Sequence, residues 1–276
     1  MSIERMTTST WGKKKATGKA TGNANSNANA FEFATARQGY EMRGEDKLAF
    51  VTELFDRIAT SYDAVNDAIA LGFARAWRSW SLMDAFERGD AVLDVGCGPG
   101  NVTRYCMYTH LAHMAIDVTG VDCSTKMLDV ARARCVGGKF VVGDAGKLAF
   151  ADGSFDVATT VYTLRNFSDL GRALDEMYRC VKPGGKMLIV DAFPPSGVFG
   201  VVLRLWLNFM LPLLGWLLTR DAKPYAYLAH SIQHTATPKE VKSMLESMGA
   251  ERVTVSLYWP FGAAAKIVAY KPSRRT

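Results

Sequence analysis

The stretch Val92-Leu93-Asp94-Val95-Gly96-Cys97-Gly98-Pro99-Gly100 limits what this chain can fold into more than any other. An apolar run that ends on an acid reads as a buried parallel strand. Three glycines at alternate positions then let the backbone turn tightly against a ligand, with no Cβ in the way. Helical sequence resumes at Asn101-Val102-Thr103. The free N–H groups of a helix N-terminus therefore face the loop and favour an anion. Strand, loop and helix together predict an α/β domain with a nucleotide-type site at the C-terminal end of its first strand.

Two more strands end the same way. Val118-Thr119-Gly120-Val121-Asp122 is followed by the helical Ser124-Thr125-Lys126-Met127-Leu128, and a carboxylate there accepts both hydroxyls of a ribose. Phe140-Val141-Val142 runs into Gly143-Asp144-Ala145, where the acid can take the exocyclic amine of an adenine. A dinucleotide fingerprint needs glycine at 101, and this chain has Asn101. Three solvated acids capping helices would have to arise three times over. Glycine loop, ribose acid and adenine acid resemble the fold of methyltransferases that use S-adenosylmethionine (SAM). The resemblance implies a class I, Rossmann-like sheet with helices on both faces. It also implies SAM as cofactor, held by Asp94, Gly96, Gly98, Gly100, Asp122, Cys123, Asp144 and Ala145, with no metal.

The 276 residues divide unevenly. Residues 1–44 are basic and of low complexity, and Thr-Gly-Asn-Ala-Asn-Ser-Asn-Ala-Asn-Ala (21–30) cannot bury enough apolar surface to offset chain entropy. This segment is expected to be disordered. It holds four of the six net positive charges between residues 1 and 40, so the basic balance says little about the folded body and points to no nucleic-acid partner. A solvated tail is the plainest reading. A mitochondrial transit peptide and a lysine cluster near anionic lipid stay open, whereas no apolar run suggests a secretory signal. Residues 45–276 form the methyltransferase domain, with an apolar helical insertion at 196–219. The five cysteines show no C-x-x-C pair and fit reduced, buried thiols in a cytosolic setting.

A narrower resemblance begins before the first strand. Phe55-Asp56, Ile58-Ala59, Tyr62-Asp63 and Asn66, then Gly72, Arg75 and Trp77-Arg78, look like the opening of the quinone-biosynthesis C-methyltransferases. Helices placed there form a cap over the ligand mouth. Gly153-Ser154-Phe155-Asp156-Val157 leads into a fourth strand that ends at Tyr162-Thr163-Leu164-Arg165-Asn166, and Leu-Arg-Asn is similar to a triplet of that family. Lys182-Pro183-Gly184-Gly185 reads as a helix stop and tight turn into a fifth strand from Lys186 to Val190. Tyr225-Ala226-Tyr227-Leu228 with Ser231-Ile232 continues the likeness, which runs from about Leu54 to Lys271. Pro99, Val161, Thr163 and Thr235-Ala236 depart from the family pattern and bear on substrate choice.

Val198–Leu218 is almost wholly apolar and long enough to span a membrane. A single crossing would leave the later strands, Arg252–Leu257 and Ala265–Tyr270, on the wrong side of their sheet. Arg204, Asn208 and Pro212 recur at i, i+4 and i+8, which leaves one polar stripe on a greasy helix. An interfacial helix, the wall of a lipid-substrate pocket, or an ordinary buried helix fits this pattern.

Methyl transfer to carbon needs an activated ring. A phenolic hydroxyl with a pKa near 10 must lose its proton so that charge reaches the carbon, and an arginine beside that oxygen stabilises it as an oxyanion hole would. Arg165 is the candidate, oriented by Asn166, with Tyr62 relaying a proton through water. His230 and Asp63 are the remaining candidates for a base, and Arg78 for the SAM carboxylate. The resemblance implies a prenylated quinol (demethylmenaquinol or a ubiquinone precursor) as acceptor. It also implies a protein peripheral on the inner face of the membrane, as a homodimer or within a quinone-synthesis complex. The alternatives are another lipid acceptor, such as a sterol, a tocopherol precursor or a phospholipid amine, and a non-catalytic membrane scaffold.

Overall fold

The computed structural model describes residues 38–70, 72–109, 111–194, 197–258 and 263–273. Most of the basic segment, residues 1–37, lies outside them. Residues 38–41 are helical and the Tyr40 hydroxyl donates to the His234 carbonyl (2.7 Å), so the folded body begins ahead of the boundary drawn at residue 44.

Seven strands form one sheet in the order β3-β2-β1-β4-β5-β7-β6. They are β1 Ala91–Val95, β2 Asp117–Asp122, β3 Lys139–Val142, β4 Phe155–Val161, β5 Val181–Ala192, β6 Glu251–Leu257 and β7 Ala264–Tyr270. β1 to β5 pair in parallel, and β7 runs antiparallel to both β5 and β6. The strand order switches between β1 and β4, and open parallel sheets bind ligands in the crevice at that point.

After the helical residues 38–41, α1 Gly44–Ile58, α2 Tyr62–Ile69 and α3 Phe73–Leu82 precede the sheet. Next come α4 Asn101–Tyr108, α5 Thr125–Arg134 and α6 Leu170–Cys180. Helix α6 buries Ala173, Leu174, Met177 and Cys180 on one stripe against Ile189 and Phe193, and Asp169 caps its N-terminus by accepting from the Arg172 N–H. The other face of the sheet packs Val92, Val118 and Val157 against Val102 and Cys106 of α4 and Leu82 of α3. The helices therefore cover both faces, as the class I sheet requires.

Two local expectations need correction. β4 ends at Val161, and Leu164–Asn166 is a single 3₁₀ turn rather than a strand end. Lys182–Gly185 does not stop a helix ahead of a later strand. β5 already begins at Val181, and the four residues are taken up in a register shift between the Phe155–Val181 and Val157–Lys186 pairs, with Gly184 at φ +83°.

The apolar insertion is one long helix broken by a π-turn: α7 Gly197–Leu205, the turn Trp206–Met210, and α8 Leu211–Thr219. Pro212 explains the break. It has no N–H, and its ring would clash with the carbonyl four residues back. The wider turn answers this, with the Leu211 N–H bonding the Trp206 carbonyl. Gly200–Leu217 is apolar and long enough to cross a membrane, yet β7 returns to β5 in the same sheet. Beyond it lie α9 Lys223–His234 and α10 Pro238–Ser247.

Candidate active site

The glycine loop has the backbone its sequence asks for. Gly96, Gly98 and Gly100 all sit at positive φ (71°, 52° and 78°), where a Cβ would be strained. Asp122 fixes this loop from the next strand: Oδ2 accepts from the Gly98 N–H (2.8 Å) and Oδ1 from the Ser124 N–H (2.9 Å). Burial raises its pKa, and these backbone donors oppose the rise. Ser124 caps α5 and donates its hydroxyl to Asp56 of α1 (2.5 Å).

One cavity runs over the loop and collects Gly96, Gly98, Asp122, Cys123, Asp144 and Ala145. Leu48, Val51 and Phe55 of α1 close it from above, and Tyr62 and Asn166 close its inner end. Asp144 forms a small turn of its own, accepting from the Gly146 N–H (3.1 Å). The Cys123 thiol is pushed up to about 12, by burial first and by Asp122 next, so it remains protonated. Gly100 is different. A Cβ there would lie 3.1 Å from the Ala131 Cβ and 3.3 Å from the Phe140 ring, so this glycine permits close packing of α4 on α5 and β3.

An adjoining cavity shares Tyr62, Gly96 and Gly98, and contains Arg78, Asp94, Tyr162 and Arg165, with Leu228 and Ile232 from α9. Asp94 is buried, and neither of its oxygens has a hydrogen-bond partner among the described residues. Its pKa rises to about 8 through desolvation first and the nearby Asp122 charge next, and Arg78 opposes the shift. An orphaned buried carboxylate beside an arginine is the environment that a ligand with an ammonium and a carboxylate would complete. The methionine end of SAM is such a group, and the residues present fit it.

Arg165 is buried, and its partner is not Asn166. Nη1 donates to Oδ1 of Asp191 at 2.5 Å, and Asp191 also accepts from the Leu164 N–H (2.8 Å) and the Ala192 N–H (2.7 Å). Asp191 thus clamps both the guanidinium and the turn that carries it. The reading of Asn166 as the orienting residue is corrected: its Oδ1 is buried without a partner. Asp191 stands at the C-terminal end of β5, behind the apolar Met187–Val190, so the acid-after-strand pattern used for β1 and β2 would have found it. Tyr162 was also missed. It lines both cavities at φ 62°, and its hydroxyl donates to the Ala74 carbonyl of α3 (2.9 Å).

Both candidate bases are engaged by other side chains, although Asp63 lines the second cavity. Asp63 accepts from Asn101 Nδ2 (2.9 Å) and pairs with Arg134, so it straps α2 to α4 and α5. His230 stacks on His234 (3.9 Å between centroids) and faces Tyr40, while Leu228 and Ile232 of the same helix line the cavity. Tyr62 lines both cavities. Desolvation raises its pKa, and the charge of Arg165 opposes that rise first.

The sheet order, the positive-φ glycine loop and the acids at three strand ends define a SAM-dependent methyltransferase. Solved structures share this fold. A possible histamine N-methyltransferase from Thermotoga maritima superposes with a TM-score of 0.55 at 19% identity, covering 79% of this chain and 99% of that one. Phosphoethanolamine N-methyltransferase 2 of Haemonchus contortus, solved with SAM, gives 0.57 at 16% identity over 81% and 60%. Residues 41–271 match the ubiE/COQ5 methyltransferase family, and the chain belongs to it. Among curated relatives, the demethylmenaquinone methyltransferase of Thermotoga maritima is 36% identical over 201 residues, 72% of this chain and 86% of that protein. The ubiquinone/menaquinone biosynthesis C-methyltransferase UbiE of Azotobacter vinelandii is 36% identical over 230 residues, 80% and 90% of the two chains.

Proposed function

We propose that this protein transfers the methyl group of SAM to a ring carbon of a prenylated quinol in quinone biosynthesis. The observation that carries the reading is Arg165: a buried guanidinium, clamped by Asp191, in the second cavity, which Leu228 and Ile232 wall and which shares Tyr62, Gly96 and Gly98 with the cofactor cavity. SAM supplies the electrophilic methyl. Asp122 holds its ribose, Asp144 and Ala145 its adenine with Cys123 alongside, and Asp94 and Arg78 the two ends of its methionine. Arg165 stabilises the phenolate that makes a ring carbon nucleophilic. Tyr62 takes part in moving the phenolic proton through water, and α1 and α2 keep bulk water out. An arginine suits a phenolate better than an amine, which disfavours a phospholipid-amine acceptor. The names of the curated relatives point the same way.

The apolar helix supports membrane docking as part of this reading. Val201, Val202, Leu205, Phe209, Leu213, Trp216 and Leu217 are all exposed. Leu207, Leu211 and Tyr225 pack inward, and Asn208 accepts from Gln233 of α9 (2.7 Å). Helix α8 also touches α2, so this greasy face adjoins the acceptor cavity, where a prenyl tail would leave a bilayer. We place the protein as peripheral on the inner face of such a membrane.

The test is methyl transfer from labelled SAM to a short-chain demethylnaphthoquinol, with and without a reductant. Transfer only to the reduced acceptor is expected. Equal rates on the oxidised quinone would remove the phenolate and the role given to Arg165.

A further inference from the structure

Behind Arg165, on the side facing α1 and α9, lies a small cavity of ≈ 20 Å³. Leu54, Phe55 and Ile58 form its apolar wall, and Arg165, Asn166 and Tyr227 are among its polar residues. Each of these three is buried, at 7%, 6% and 2% exposure. Each also presents a buried polar atom with no hydrogen-bond partner among the described residues: Arg165 Nε, Asn166 Oδ1 and the Tyr227 hydroxyl. Buried polar groups are rarely left unsatisfied, because each bears its full desolvation cost. Three around one cavity call for a shared partner.

The chemistry of the three atoms specifies that partner. Nε–H only donates, an amide oxygen only accepts, and a phenol does either. A molecule that must both accept and donate, in a space of this size, is a single water. Buried waters make about three hydrogen bonds and need roughly 10–15 Å³. The Tyr227 ring is buried and lies against Phe50 of α1 (5.4 Å between centroids), which limits how far its hydroxyl can move.

We propose that Arg165, Asn166 and Tyr227 seat one structural water, and that Tyr227 is a positioning residue for the Arg165 guanidinium. Asp191 holds Nη1 from one side, and the water holds Nε from the other. The planar fork is then fixed in two directions before any acceptor arrives, as preorganised stabilisation of charge requires. The catalytic part of this inference rests on the reading of Arg165 given above; the water seat itself does not.

The test removes one oxygen atom. Tyr227→Phe keeps the ring and its packing on Phe50. In a high-resolution crystal structure of the unaltered protein, one water within hydrogen-bond distance of all three atoms is expected, and it should be lost or displaced in the variant. With SAM and a demethylnaphthoquinol, kcat should fall about 10-fold, while KM for the quinol changes less and SAM affinity stays put. A merely structural tyrosine would change thermal stability and leave kcat alone. An empty seat in the unaltered protein overturns the proposal whatever the activity. A filled seat with unchanged kcat in Tyr227→Phe overturns the positioning role. If the unaltered protein methylates no quinol but the water is present, the water seat stands and the substrate reading and positioning role fail.

Discussion

The two halves of the site are built differently. In the cofactor half, Asp122 is held by backbone N–H groups of its own loops, and the glycines occupy conformations set by φ alone. In the acceptor half, Arg165, Tyr62 and Leu228 come from a turn after β4, a helix before the sheet and a helix between β5 and β6. Local backbone geometry makes the first half; side chains brought together from distant segments make the second. Mutations should therefore act on binding in one half and on rate in the other.

The largest expected effect is at Arg165. Arg165→Ala should lower kcat by roughly 10²–10³-fold, the range for losing one preorganised oxyanion donor, with SAM affinity nearly unchanged. Removing the charge also strands Asp191 in a buried place, which costs about 3–5 kcal/mol of stability. Arg165→Lys is the companion, since it keeps the charge without the planar fork, and only part of the rate should return. A fall in SAM affinity equal to the fall in rate would erase the division between the halves.

The reciprocal change is Asp122→Ala. Calorimetry should show SAM binding weakened by about 2–4 kcal/mol, because charged hydrogen bonds contribute about 1.5–3 kcal/mol each and losses do not add fully. The rate at saturating SAM should move much less.

Asp94 adds a dependence on pH. Its folded pKa, about 8, lies above the ordinary carboxylate value because of burial. The unfolded state therefore releases this proton first as pH rises. The stability linked to Asp94 is complete below about pH 4 and drains away as pH rises through about 8. Between pH 6 and 8 the ligand-free protein should lose about 2 kcal/mol of stability from this group, read by urea unfolding, and Asp94→Asn should flatten that slope. A flat profile between pH 6 and 8 would mean that Asp94 is already ionised and paired there.

The smallest effect is on the outer face. Phe209 is 67% exposed, so Phe209→Ser should change folding stability by no more than about 0.5 kcal/mol. Liposome binding should weaken by roughly 1–2 kcal/mol, a share of the value for burying one large apolar side chain. Leu207→Ser, two residues away but buried, should instead destabilise the fold. Equal liposome binding by the Phe209 variant would separate the apolar face from the membrane.

The cofactor half was legible because its residues fall between Asp94 and Ala145 and their constraints are local. Glycines at alternate positions and acids ending apolar strands have one reading as backbone. The acceptor half was legible only in pieces. Arg165 and Tyr62 could be singled out as candidates, but Asp191 is 26 residues from Arg165 along the chain, and Asp63 is 71 from Arg134. Nothing in sequence spacing says that these acids are already engaged. The polar stripe read on the apolar helix was also incomplete, since the π-turn before Pro212 changes which residues face inward.

Sequence alone determined the parallel strands, the strand-end acids and the cofactor loop, because continuous apolar runs, positive φ and helix N-termini are properties of short segments. Tertiary structure alone decided which acid clamps Arg165, that Asp63 straps helices instead of moving protons, that His230 faces Tyr40, and which atoms remain unsatisfied. Those outcomes depend on where side chains from separate elements end their reach, and on burial, which sets the cost of leaving any of them without a partner.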